Sequence, residues 1–128
     1  MTDEEILEGN KLIADFLSLS IQLGMVEHPV SREYVYLDDC LWNESWDLLI
    51  PIVEQIERHG YWCEIVYSRL GTTKRPGRVN WCAFTKENYT NLFLNDCYTE
   101  IVREEGSTKI EAVYKTVVAF IKWYKENK

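Results

Sequence analysis

Apolar residues recur at helical spacing in three stretches of the chain and alternate with polar ones in two others, and turn-forming residues separate them. The first helical stretch opens at Thr2. Thr2 and Glu5 make a capping box, and Asp3 and Glu4 sit at the positive end of the helix dipole. Ile6, Leu7, Ile13, Phe16 and Leu17 fall near one face, with Leu12 beside it. Gly9 is expected to weaken this helix, which should fray out by Ser18 to Ser20. Gly24 and Pro29 predict a loop over 24–32. Tyr34 to Leu37 predict a short strand, because aromatic and branched side chains suit a pleated surface.

The second helix is expected in NESWDLLIPIVEQIERHG, with Asn43 or Ser45 as its cap and Gly60 as its left-handed terminator. Trp46, Leu49, Ile50, Val53 and Ile56, with Leu48, form the apolar face. Pro51 either kinks this helix or stands in the first turn of one that starts later. Tyr61 to Leu70 reads as a strand, with Tyr61, Cys63, Ile65 and Tyr67 on one face and Trp62, Glu64, Val66 and Ser68 on the other. GTTKRPGR is a turn-rich loop, and VNWCAF, with Val79, Trp81 and Ala83 alternating, is the partner strand of a hairpin. From Thr85 to Gly106 two readings stand. One is a further hairpin turning at Asn95-Asp96; the other is a strand at Leu92 to Leu94 followed by a short helix capped by Asp96. The strand reading is preferred. The third helix has Ser107 or Thr108 as cap, and Thr108 with Glu111 makes a second capping box. Ile110, Val113, Tyr114, Val117, Ile121 and Tyr124 form its stripe, widened by Val118 and Phe120, and Lys122, Lys125 and Lys128 suit its negative end.

A length of 128 residues predicts one domain, large enough to fold without metal or disulfide staples. The fold class is therefore α/β in the α+β sense: a single domain with an antiparallel sheet covered by helices. No run approaches the roughly 20 apolar residues of a membrane span. The opening MTDEEILEGN lacks the basic-then-apolar order of a signal peptide, so the chain is expected in the cytoplasm where it is made. Cys40, Cys63, Cys82 and Cys97 form neither a CxxC pair nor a dense framework. Four reduced thiols are expected, with Cys63 and Cys82 in the core.

The net charge of −7 argues against general duplex binding, which rests on neutralising phosphates. The charge is uneven, however. Between Ile65 and Lys86 there is no acid, yet five of the 14 Lys and Arg lie there: Arg69, Lys74, Arg75, Arg78 and Lys86. The remaining nine face all 21 acids, so a cationic segment sits in an anionic body.

NESWDLLIPIVEQIERHGY and STKIEAVYKTVVAFIKWYKENK, with EGNKLIADFL near the start, resemble small proteins of tailed bacteriophages and prophages, the phage alpha-beta-alpha sandwich domain family. The match covers about half of the chain, mainly helices, and includes Trp46, Pro51, Ile110, Tyr114, Phe120 and Trp123. Residues Arg69 to Glu105 depart most from the pattern. The resemblance implies a helix–sheet–helix sandwich and a phage or prophage origin. It implies no enzyme activity and transfers no catalytic residue.

The candidate ligand site is the basic hairpin end. Arg69, Lys74, Arg75 and Arg78 suit phosphate or carboxylate, and Tyr67 and Trp81 flank the loop as stacking surfaces. Gly71 and Gly77 would let backbone amides approach an anion. A solvated loop whose charges discourage strand-to-strand association is the plainer alternative. GTTKRPG lacks the Gly-Lys-Ser or Gly-Lys-Thr of a P-loop. His59 reads as a helix-end residue and His28 as a loop residue, and neither has zinc-ligand spacing. Asp38 and Asp39 read as a turn, and Glu104 and Glu105 as solvated. No cysteine has a histidine nearby in sequence to act as base. Among Trp42, Trp46, Trp62, Trp81 and Trp123, core packing is the common fate, leaving one or two as surface anchors.

The expectation is a non-catalytic phage or prophage accessory protein without cofactor or metal. It would act by binding a small anionic, nucleotide-like signal of host defence. An acidic inhibitor that docks on a host protein is the competing class. A small hydrolase is a third, for which no constellation of residues stands out. Self-association is left open.

Overall fold

The computed structural model describes residues 1–17, 21–22, 25–27, 34–36, 42–68, 79–87 and 98–127. The first helix, α1 (Asp3–Phe16), begins as expected: the Thr2 side chain accepts from the Glu5 amide at 3.2 Å. Three short strands follow, β1 (Ile21–Gln22), β2 (Met25–Glu27) and β3 (Tyr34–Tyr36), paired antiparallel in that order. β2 lies inside the stretch expected to be loop. Elements of two and three residues have no period to read, so pairing across the sheet defines them.

The second helix, α2 (Trp46–Arg58), starts after Ser45, whose side chain makes no capping bond, and continues past Pro51. The later start is thus ruled out. Pro51 is exposed, which keeps its ring out of the core. His59 is the C-cap and Gly60 takes φ 96°, the left-handed terminator. The apolar face differs from expectation: Ile52 is fully buried, whereas Trp46 remains 38% exposed and Ile50 is only half-buried, outside the core cluster.

The main sheet is a meander of β4 (Tyr61–Ser68), β5 (Val79–Glu87) and β6 (Tyr98–Gly106), antiparallel throughout. The basic hairpin is therefore present as β4 and β5, and residues 98–106 are strand, not the alternative short helix. A bulge at Phe84/Thr85 leaves Ile101 without a partner in β5. It lets the consecutive residues Ile101 and Val102 both pack against the core, which strict alternation forbids. The third helix, α3 (Lys109–Glu126), closes the fold, and the expected arrangement of helices packed on an antiparallel sheet is present.

α3 touches β4, β5, β6, α1 and α2. That explains why its buried stripe is wider than one helical face: Ala112 and Thr116 join Val113, Tyr114, Val117, Phe120 and Ile121. The Thr116 hydroxyl finds acceptors in the Ala112 and Cys82 carbonyls, at 2.6 and 3.1 Å. Gly106 sits where β6 turns into α3. A Cβ there would stand 2.5 Å from the Ala112 amide nitrogen, so the turn has no room for a side chain. Gly9 is the larger correction. It packs against Tyr114 and Val118 of α3, and Asn10 beside it is fully buried.

At the start of α3 the Thr108 side chain accepts from the Glu111 amide at 3.2 Å. Ser107 donates to Glu111 at 2.7 Å, and Lys115 pairs with it at 3.1 Å. The Ser107 hydroxyl, then Lys115, hold the Glu111 carboxyl below its ordinary pKa. Thr108→Ala is expected to cost about 1 kcal/mol in urea unfolding. Because the folded pKa is depressed, the Glu111 contribution is present above the ordinary carboxyl pKa and fades as pH falls through the folded value. The stability gap between the parent chain and Glu111→Gln should therefore close in acid.

Candidate functional site

The β4–β5 ladder runs from Tyr61↔Lys86 to Ser68↔Val79, so residues 69–78 connect its two strands. Arg69, Lys74, Arg75 and Arg78 lie outside the described residues, as do Lys128, His28, Cys40, Cys97, Asp38, Asp39 and Asp96. The two aromatic flanks of the loop are out of phase. Tyr67 pairs with Asn80 and Trp81 pairs with Val66, and neighbouring pair positions belong to opposite faces of a ribbon. Tyr67 and Trp81 are therefore not register partners in the ladder.

Trp81 has a different companion. Across β5 and β6 it faces Glu105, and the next pair on the same face is Ala83↔Arg103. The Arg103 guanidinium carbon lies 4.2 Å from the centre of the Trp81 ring, a close cation–π stack. Arg103 also pairs with Glu100 at 3.0 Å, and both side chains are about half exposed. A pair so open to solvent contributes little to stability. Nothing local in YTEIVREEG marks Arg103 as a site residue; its place depends on the β5–β6 register.

Both side chains belong to the sheet face turned away from α3, since Cys82 and Phe84 occupy the other side of β5. Three rows cross this face: Trp62–Thr85–Glu100, Glu64–Ala83–Arg103 and Val66–Trp81–Glu105. Trp62 is 49% exposed, while Ala83 and Thr85 in the centre are buried. The Thr85 hydroxyl has no hydrogen-bond partner among the described residues. A buried, unsatisfied hydroxyl costs free energy. On the opposite side of the sheet Lys86 reaches over the Tyr61 ring at 5.8 Å and is committed to it.

A cleft of about 410 Å³ between α1 and α3 was not legible in the sequence. Glu5, Glu8, Glu104, Lys115, Lys122 and Tyr114 help to line it. Its charges are mostly used internally: Lys122 lies 3.7 Å from Glu8, and Lys115 serves Glu111. It therefore presents no concentrated charge of one sign.

The histidine reading stands within the described residues: His59 ends α2 beside Tyr124 and Phe16, with ring centroids 5.6 and 6.3 Å away. No group of three His, Cys, Asp or Glu that could hold a metal occurs among the described residues, and no described helix is long and apolar enough to cross a membrane. No protein-family model, curated protein or solved structure matches the chain.

Proposed function

We propose that this is a non-catalytic binding protein whose ligand is a small anion carrying a flat ring, of nucleotide type. The observation that carries the reading is the Arg103–Trp81 stack on the solvent-facing side of the sheet, beside the β4–β5 end from which the basic loop departs. A guanidinium seated over an indole adds a cationic group with which a ring can stack. Arg69, Lys74, Arg75 and Arg78 supply charge for phosphate within the same connection. A phage or prophage origin, with sequestration of a host-defence signal as the biological task, rests on the helical resemblance alone. The chain would act by occupancy, releasing its ligand unchanged.

The test is thermal unfolding with a panel of ribonucleoside phosphates. A ligand at about 100 times its Kd should raise Tm by roughly 8 °C. Arg75→Ala combined with Arg78→Ala should abolish the shift, and Arg103→Ala or Trp81→Ala should weaken binding about tenfold. Ligand recovered after denaturation should be intact. A panel without a single shift, or a shift indifferent to all four substitutions, would remove this face as the site.

The competing reading, an inhibitor that docks on a basic host protein, draws on the same face. Trp62 is half exposed there, with Glu64, Glu100 and Glu105 nearby on the same side. It predicts salt-sensitive association with a protein, lost in Trp62→Ala, and no nucleotide shift.

A further inference from the structure

Away from the hairpin face, Cys63 and Cys82 bring two free thiols together, with their sulfurs 3.7 Å apart. They are diagonal neighbours, because Cys63 stands opposite Phe84 and Cys82 opposite Ile65. Cys82 is fully buried on the central strand, whereas Cys63 is on the edge strand and partly exposed. The helical cover ends beside it: along the same face of β4, exposure rises from 7% at Tyr61 to 41% at Ile65. A small reagent can therefore reach Cys63 from the sheet edge.

Two thiols so placed can join directly or through a bridging atom. Diagonal positions have Cα atoms about 7–8 Å apart. A disulfide needs roughly 4.4–6.8 Å. Direct closure would thus displace a strand whose ladder continues on both sides, from Tyr61↔Lys86 to Ser68↔Val79. A bridging atom needs no such movement. With bonds of about 2.3 Å, as in zinc thiolates, and an angle of about 100–110° at a pyramidal or tetrahedral bridging atom, two sulfurs stand about 3.5–3.8 Å apart. That is close to the separation already present. No third His, Cys, Asp or Glu completes a metal shell among the described residues, so a fitting occupant is one satisfied by two protein thiolates. The Cys63 S–H holds the Cys82 thiol below its ordinary pKa against its burial, and donating to Cys82 raises Cys63.

We propose that Cys63 and Cys82 form a dithiol site that captures a trivalent arsenical by bridging both sulfurs. With phenylarsine oxide, two S–H bonds break, two As–S bonds form, and the oxide oxygen leaves as water with both protons. Arsenic stays trivalent, and nothing is oxidised or reduced.

The experiment uses the full chain carrying Cys40→Ser and Cys97→Ser, with one equivalent of phenylarsine oxide and intact-mass detection. One adduct per chain is expected, stable to excess 2-mercaptoethanol and released by dithiothreitol. Cys63→Ala and Cys82→Ala should each abolish the monothiol-resistant adduct. Should either variant fail to fold, alkylation mapping of the unaltered pair decides: the arsenical should shield both Cys63 and Cys82 from iodoacetamide. An adduct that survives either single substitution, or alkylation of either sulfur in its presence, overturns the site.

Discussion

Phe120→Ala is expected to lower the stability of the chain by about 3–5 kcal/mol, a large share of what a domain this size possesses. Phe120 is fully buried on α3 and is the hub of the aromatic core. Its ring centre lies 4.8 Å from Tyr61, 5.3 Å from Phe84, and 5.8 Å from both Trp123 and Tyr124. Those partners come from β4, β5 and α3 itself, so deletion opens a cavity where two strands meet the helix, and no single neighbour can fill it. Edge-on and tilted ring contacts are lost in addition to buried area. Phe120→Leu keeps most of the volume and should cost far less, which urea unfolding at unchanged m-value would show. Equal losses in the two variants would mean that ring geometry, and not the cavity, dominates.

Gly9→Ala is expected to destabilise the protein although alanine is the better helix former. Helix propensity alone favours the substitution by about 1 kcal/mol. The added Cβ, however, would stand 3.0 Å from Val118 Cγ2 and Tyr114 Cζ, and nearer still to the Tyr114 hydroxyl. Tyr114 cannot swing aside, being buried with its hydroxyl 2.9 Å from both the Ile6 carbonyl oxygen and Asn10 Oδ1. Overpacking of this kind costs about 1–3 kcal/mol, enough to outweigh the propensity gain. A double-mutant cycle isolates the contact. Tyr114→Phe alone takes one partner from the buried Asn10, yet in that background Gly9→Ala should lose much of its penalty. Strict additivity would mean that the crowding arises elsewhere.

Much of the local structure was legible from short range. The caps at Thr2 and Thr108, the terminator at Gly60 and the alternation of β4 depend on residues within four positions of one another, so the sequence displays them directly. The helix through Pro51 and the two strands β1 and β2 were not so legible, because long periods were interrupted or absent there. At the candidate site the basic charge could be counted along the chain. Its partnering could not: Arg103 reaches Trp81 only through the β5–β6 register, and the same kind of register separates Tyr67 from Trp81.

The sequence by itself determined the caps of α1 and α3, the terminator of α2, the alternation of β4, and that a cationic segment interrupts an acidic chain. Tertiary structure alone decided why Gly9 is glycine, why Thr116 can be buried, and which thiols meet. Those answers depend on atoms brought together across long separations, 108 positions in the case of Tyr114 and Ile6. Local propensity acts over a turn of helix or a pair of strand residues, and a contact of that range carries no trace in either neighbourhood until packing creates it.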